Sequence, residues 1–561
     1  MKKLLLGLCV TFSLTALAQE TDTINAPKVD RGNFFGGFES NSQWYLNDKG
    51  LNISHPEDPI RSNNYLFLNY VYKNWSAGIQ AEAYEENALL NYNPKFNETN
   101  IATYFMRYAN EKIDVTAGYF YEQFGSGILF RSWEDRALGI NNALRGGRII
   151  FRPADFITIK GVYGRQRSGF DVANSDIFGS DVEFSIGDVL KFETTDLSIG
   201  GSFIRRDEKT DIIDPNFKNA TDGYAARVSL NHNAFYFSSE YNYKTEDAII
   251  QVQGQIDNEF VKPGSALLFN AGYSTKGFGM DATFRRIENM SFFSERGAKG
   301  NAYNDKVMNF VPSLTKQHHF NLSNIYVYQA QPNVILTDAS LVKTGEIGGQ
   351  IDLYYDFAKG TKLGGKFGTK VAINVSNWNA LGGTFNINNP KGYDTDFFGF
   401  GKKYFSDYNI EISKKFSSDF NGSIAYINQY YDKKLIEETS GLVKTNIVAA
   451  EGTYKFSTYQ SIRLVGEHMW ADSDKGNWAS ATAEFNINSK YSIYAMDMYN
   501  YGNEVEADQT HYYNFGGAFR KGSTRIALAY GRQRGGLVCV GGVCRYVEES
   551  TGLSLSLNTT F

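Results

Sequence analysis

Thr551-Gly552-Leu553-Ser554-Leu555-Ser556-Leu557-Asn558-Thr559-Thr560-Phe561 closes the 561-residue sequence, and its reading decides the fold. Leu553, Leu555, Leu557, Thr559 and Phe561 share one parity, while Ser554, Ser556, Asn558 and Thr560 take the other. Side chains of a strand project to alternate faces, so this dyad period gives one apolar face and one polar face. In a bilayer, strands satisfy their backbone hydrogen bonds only when the sheet closes on itself. The stretch therefore predicts a transmembrane strand in an all-β fold, a single antiparallel β-barrel with lipid outside and a polar interior.

The start of the chain points to export. Lys2 and Lys3 precede an apolar run over 4–17, and Ala16-Leu17-Ala18 supplies the small residues a signal peptidase accepts. Residues 1–18 are thus expected to be a cleaved signal peptide, 19–32 a short periplasmic segment, and 33–561 the barrel in the cell outer membrane. Cys9 lies too near the start for a lipoprotein cleavage box. About 14 residues before the first strand are too few for a plug or a periplasmic domain. Beyond the signal, no apolar run reaches the roughly 18 residues of a helical span.

Composition narrows the function classes. Aromatic residues make up 15% of the chain, and Gly (54) is abundant where Pro (10) is scarce, as strands joined by turns require. A net charge of -5 argues against nucleic acid as a partner, because phosphate neutralisation needs a concentrated basic surface. Six His and three Cys leave little material for a metal centre, and no cofactor is implied. In Cys539-Val540-Gly541-Gly542-Val543-Cys544, Gly-Gly forms a two-residue hairpin turn that sets the cysteines opposite each other, so a loop-stapling disulfide is expected. A redox-active or metal-binding pair is the rival reading, but no His or further Cys lies nearby.

Alternating segments pair across short polar turns, expected to be periplasmic, and are separated by longer extracellular loops. Turns fall at Lys73-Asn74, Asn110-Glu111-Lys112, Pro153-Ala154-Asp155, Asn231-His232-Asn233, Lys276-Gly277 and Ala358-Lys359-Gly360. Further turns fall at Ser417-Ser418-Asp419, Ser457-Thr458, Asn488-Ser489-Lys490 and Lys521-Gly522-Ser523, with a less tidy one near 187–195. With one strand at each end, the count is about 24 strands, within a range of about 22–26. The strand-like stretch 319–330 is assigned to a long excursion over 288–344 that folds into the lumen or stands above it; pairing it with 334–342 would give about 26 strands instead.

Apolar phase identifies the pore-lining residues. With Leu363, Gly365, Phe367, Thr369, Val371, Ile373 and Val375 outward, Lys366, Lys370 and Asn374 point inward. The same phasing turns Asp352, Asp356, Arg463 and Glu467 inward, either pairing across strands to hold the wall or filtering solutes. Four strands end their outward row with an aromatic, one residue, then arginine, which makes Arg165, Arg205, Arg286 and Arg532 candidates for lipopolysaccharide contact. Snorkelling arginine without a specific ligand is the alternative. Two of the four lie in the identical pentapeptides Tyr163-Gly164-Arg165-Gln166-Arg167 and Tyr530-Gly531-Arg532-Gln533-Arg534.

The richest loop, 125–148, interleaves Arg131, Glu134, Asp135, Arg136, Arg145 and Arg148 with Trp133 and leucines. It either folds inward as a charged constriction or stands outside, knitted by its own ion pairs. Asp472-x-Asp474-x-Gly476 has calcium-loop spacing without the distal Glu. No nucleophile elbow, phosphate loop or carboxylate dyad with supporting context is present, so catalytic residues are expected to be none and the protein is not expected to be an enzyme.

The segments 32–42, Phe130-Arg131-Ser132-Trp133-Glu134-Asp135-Arg136 and Gly541-Gly542-Val543-Cys544-Arg545 resemble a Bacteroidota outer-membrane family known only as a domain of unknown function. The resemblance covers nearly the whole mature chain and implies a compartment but no activity. Phe561 is similar to the signal that barrels present to the insertion machinery. The expected function is a porin-like passive or loop-gated conduit for polar solutes. The alternative is a non-catalytic structural or interaction subunit of a secretion or surface-assembly complex, its lumen plugged by loops. Expected partners are outer-membrane lipid and lipopolysaccharide, the insertion machinery, and such a complex.

Overall fold

The computed structural model describes residues 31–209, 218–250, 256–296, 304–338, 341–385, 393–439 and 441–561; the signal peptide expected over 1–18 lies outside them. Among the described residues, twenty-four antiparallel strands close into one barrel, and the two-residue segment Asp171–Val172 adds a further edge to the same sheet. Closure is made by Ser550–Thr560, which pairs with Thr524–Gln533 on one side and with the first strand, Asn33–Leu46, on the other. The register runs from Gly37 opposite Thr560 to Leu46 opposite Thr551.

Alternation in the sequence becomes two walls. Tyr104, Ile373, Ile424, Leu464, Leu528 and Leu555 are exposed on the outside, while Gln80, Thr116, Asn374, Ser376 and Glu467, on the opposite parity, are buried. One end of the barrel carries short turns. At Lys276-Gly277, Gly277 takes φ +82°, a left-handed conformation a two-residue hairpin needs and glycine adopts without steric penalty. The untidy connection before Thr195 holds one turn of helix, Ile186–Leu190, whose N-cap Ser185 accepts from the Asp188 N–H at 3.2 Å. The other end carries the long loops.

One expectation changes, and the open choice between 24 and 26 strands is settled as first counted. The turn after Glu346–Phe357 spans 358–368 rather than three residues, because Gly360, Gly365 and Gly368 all take positive φ and hold the chain in turns until Thr369. Leu363, Gly365 and Phe367 therefore precede the strand, and Lys366 lies in this turn, its ammonium 5.4 Å from the Phe367 ring centre, not on the lumen wall. The long excursion does not enter the wall sheet: Phe278–Glu288 pairs directly with Glu346–Phe357, and Val334–Asp338 pairs only with Leu341–Thr344 in a separate hairpin. Parity thus settles at twenty-four. Within 319–330 there is a 3-10 turn, Leu322–Asn324, in place of a strand.

Candidate functional site

The interior is not empty. The described residues of 289–345 leave the rim and fold into the lumen, where Phe320, Leu322, Tyr326 and Tyr328 pack against Trp378, Ile427, Ile447, Met469 and Trp478 of the wall. Those wall residues occupy the inner parity toward the loop end, so the inner face is apolar there and polar toward the short-turn end. Burying such side chains stabilises by about 1.5–3 kcal/mol each, which favours the packed position over an exposed one.

Polar tethers fix its position. The Glu467 carboxylate accepts the N–H groups of Asn321 at 3.0 Å and Leu322 at 2.8 Å, and the Asn321 amide donates to Ser480 and Thr482, each at 3.2 Å. Trp378 Nε1 donates to the Leu314 carbonyl at 3.2 Å. On the adjacent wall Arg285, buried, binds Glu346 and donates to the Pro312 carbonyl at 2.8 Å, while Tyr328 donates to the other oxygen of Glu346. The excursion's first limb is held by a buried charge network in which Arg296 donates to Glu208 at 2.7 Å and Asp247 at 2.8 Å, and Arg206 meets Asp247 at 3.0 Å.

A second segment, 121–143, also turns inward. Glu134 accepts from Gln80 at 3.1 Å and Arg136 at 3.2 Å, and Arg136 reaches Glu39 at 2.9 Å with its guanidinium 4.8 Å from the Tyr65 ring centre. Gln80 and Glu39 belong to the wall, so the charged residues of this loop bridge to the barrel rather than only to one another. Asp135 accepts the Leu138 N–H at 2.9 Å and shapes the loop. The two insertions then join. Arg131 N–H donates to the Met308 carbonyl and Phe310 N–H to the Gly127 carbonyl, both at 2.9 Å, while the Arg131 guanidinium lies 4.0 Å from the Phe310 ring centre. Burial lowers the Arg131 pKa from its ordinary value. Together the insertions form a septum, with a recess of about 1080 Å³ on the loop side and one of about 460 Å³ on the short-turn side.

The remaining residues fall as follows. Arg148 faces inward and binds Asp114 at 2.8 Å, whereas Arg145, next to the inward Leu144 and in register with Arg165, is exposed on the outward row and belongs to no constriction. The strand begins at Leu144, which gives Arg145 and Arg148 opposite faces. Arg463 binds Glu451 at 2.6 Å and Glu484 at 3.1 Å, and Asp352 accepts from Asn374 at 2.6 Å. Asp356 stands in register with Lys370, whose ammonium lies 4.8 Å from the Tyr354 ring centre. Inner charges are thus mostly paired along the wall.

Each arginine of the aromatic-x-arginine pattern already holds a carboxylate. Arg165 meets Asp176 and Arg205 meets Asp222, both at 2.8 Å, and Arg532 grips Asp48 through two nitrogens at 2.6 and 2.7 Å. Arg286 is buried, bound to Glu288 and Ser265 and covered by Thr395 and Phe397, because Asp394–Lys415 extends over it. It offers no guanidinium to a lipid. Cys539 and Cys544 form a disulfide across the hairpin, with Gly541 and Gly542 at φ +57° and +80° in the turn. Asp474 accepts from Lys433 at 2.8 Å and Tyr326 at 2.9 Å, so internal donors occupy the calcium-like spacing.

No curated protein matches the chain in sequence. Among solved structures it is similar to the P pilus usher translocation pore, at 8% identity and a TM-score of 0.42 over 94% of this chain and 99% of that one. It is similar to the siderophore receptor PirA from Pseudomonas aeruginosa, at 7% identity and a TM-score of 0.40 over 95% and 81%. It is also similar to a BenF-like porin from Pseudomonas fluorescens, at 8% identity and a TM-score of 0.31 over 94% and 98%. A family model described as a family of unknown function, DUF6029, matches residues 1–561, and the chain belongs to that family.

Proposed function

We propose that the protein is an outer-membrane conduit for polar solutes that rests closed, with its own loops as the gate. The observation that carries this reading is that the wall sheet closes without the septum. Phe278–Glu288 and Glu346–Phe357 close the sheet without the intervening 289–345, so that segment can move while the barrel stays shut to lipid. The polar inner face and the recess on each side of the septum suit a path for solutes rather than a solid pillar. Export through the expected signal peptide, short turns on the periplasmic side, and phosphate contacts by the half-exposed Arg165 and Arg205 belong to the same proposal.

The second reading is a permanently plugged scaffold for a secretion or surface complex, favoured by the apolar packing of Phe320, Leu322, Tyr326 and Tyr328. Planar-bilayer recordings separate the two. The full-length mature chain is expected to be closed at low voltage with brief openings, and Glu467→Gln to open more often because the tether to Asn321 and Leu322 loses its charge. Replacing 292–342 with a short Gly-Ser linker is expected to give a steady large conductance. A linker variant that keeps its β-rich circular dichroism and heat-shifted gel migration yet passes no current overturns the conduit, and a steadily open wild type overturns the closed rest state.

A further inference from the structure

The pentapeptide that occurs twice provides an internal comparison. In the first copy, Arg165 binds Asp176, Gln166 donates to the Val307 carbonyl at 2.6 Å, and Arg167 makes a two-nitrogen contact with Glu82 at 3.0 and 2.7 Å. In the second copy Arg532 finds Asp48, but Arg534 donates only to the carbonyls of Gly535 at 2.9 Å and Asn324 at 3.0 Å. Among the described residues no carboxylate lies within ion-pair distance of Arg534, although its counterpart Arg167 in the same pentapeptide has Glu82.

Arg534 lines the loop-side recess, and so do Lys475 and Arg545. The Lys475 ammonium makes no hydrogen bond or ion pair among the described residues, and Arg545 donates to the Asn91 carbonyl at 3.0 Å with its guanidinium 4.6 Å from the Tyr92 ring centre. Most acids of the recess accept a hydrogen bond from within the protein. Asp474 serves Lys433 and Tyr326, Glu438 accepts from Lys343 at 3.1 Å, Glu437 from Tyr431 at 2.7 Å, and Glu549 from Tyr512 at 2.6 Å. Glu548, exposed at the rim, is the exception. Arg534, Lys475 and Arg545 thus have no carboxylate within ion-pair distance among the described residues, while Glu437 and Glu549, bonded to tyrosines, and Glu548 keep their charge farther along the same lining. Burial and then the Arg534 charge lower the Lys475 pKa, and the opposing pull of Asp474 and Glu549 does not reverse that direction.

We infer that the loop-side recess is a binding site for a small polar organic anion, its carboxylate or phosphate held by Arg534 and Lys475 and its body lying against Trp133, Phe310 and Tyr326. Guanidinium binds either oxyanion through paired N–H donors, and flat aromatic faces pack against sugar-like bodies. The volume of about 1080 Å³ accommodates a molecule of two or three sugar rings.

The test is calorimetric titration of the full chain in detergent with trigalacturonate, glucose 6-phosphate, inorganic phosphate and neutral maltotriose. Saturable binding is expected for at least one organic anion and none for maltotriose, and the preferred headgroup assigns carboxylate or phosphate. Arg534→Gln combined with Lys475→Gln is expected to weaken that binding at least about tenfold at unchanged heat-shifted gel migration, with Arg534→Lys retaining part of it. Binding that the double variant leaves intact, equal binding of maltotriose, or no saturable anion overturns the inference. Binding is read without current, so this result and that of the bilayer recordings fail or hold separately.

Discussion

Arg165 and Arg167 stand two residues apart in one pentapeptide and meet different environments. Arg167 is buried with Glu82, which also accepts from Tyr84 at 2.8 Å and Gln80 at 2.9 Å, so all the charge of the pair is satisfied inside the protein. Arg165 keeps 37% of its side-chain exposure while it binds Asp176. Removing one partner of a buried pair leaves an uncompensated charge and costs about 3–5 kcal/mol, whereas an exposed pair contributes at most about 1 kcal/mol. Arg167→Ala is therefore expected to lower the urea midpoint of the detergent-folded protein several-fold more than Arg165→Ala. Equal shifts would show that the Glu82 pair is not the anchor its geometry describes. The same distinction explains what the sequence hid: the arginines were visible as a pattern, but Asp176 and Asp222 lie on other strands and come into reach through register, and Asp48 lies in the loop after Asn33–Leu46.

At the scale of the strand, parity governs. In Ser550–Thr560, Leu555 is exposed on the outer row near the strand's middle and Ser554 faces the interior. Leu555→Arg is expected to destabilise by about 2–4 kcal/mol, the cost of a cation on the lipid face near mid-membrane, while Ser554→Arg stays within about 1 kcal/mol of the parent. Urea unfolding in lipid vesicles measures both, and a larger loss at Ser554 would reverse the assigned faces. Strands of this kind were legible because the period is two and the turns are marked by Gly, Asn and Ser. The lumen was not. Arg463, Val465, Glu467 and Met469 share the inner row, so apolar Val465 and Met469 on a face expected to be wet were the available sign that something packs there. What packs there, 320–328, is strand-like in local pattern but is placed by distant contacts such as Asn321 with Glu467, 146 residues on, which local pattern does not encode. Lys366 failed for the reverse reason: its neighbours keep a strand-like alternation while Gly360, Gly365 and Gly368 hold the chain in turns.

Across the whole molecule, the short turns gather at one end and the septum, the anion recess and the disulfide hairpin gather toward the other. A gate and a binding chamber on the loop side make sense for a conduit only if that side faces the medium from which solute arrives. Orientation is therefore the claim on which the functional proposal rests, and it can be measured in living cells. Cys539 and Cys544 are joined, so neither offers a free thiol to a maleimide. Tyr459, in the turn between Leu442–Lys455 and Ser461–Ala471, is 65% exposed at the short-turn end, and Val505, between Tyr491–Tyr499 and His511–Lys521, is 55% exposed at the loop end. A membrane-impermeant maleimide is expected to label Val505→Cys in intact cells and Tyr459→Cys only after the outer membrane is permeabilised, because short turns lie on the periplasmic side of such barrels. The opposite pattern would place the recess in the periplasm and turn the proposed route around. Labelling of both positions in intact cells would mean that the barrel does not span a membrane, and the conduit would go with it.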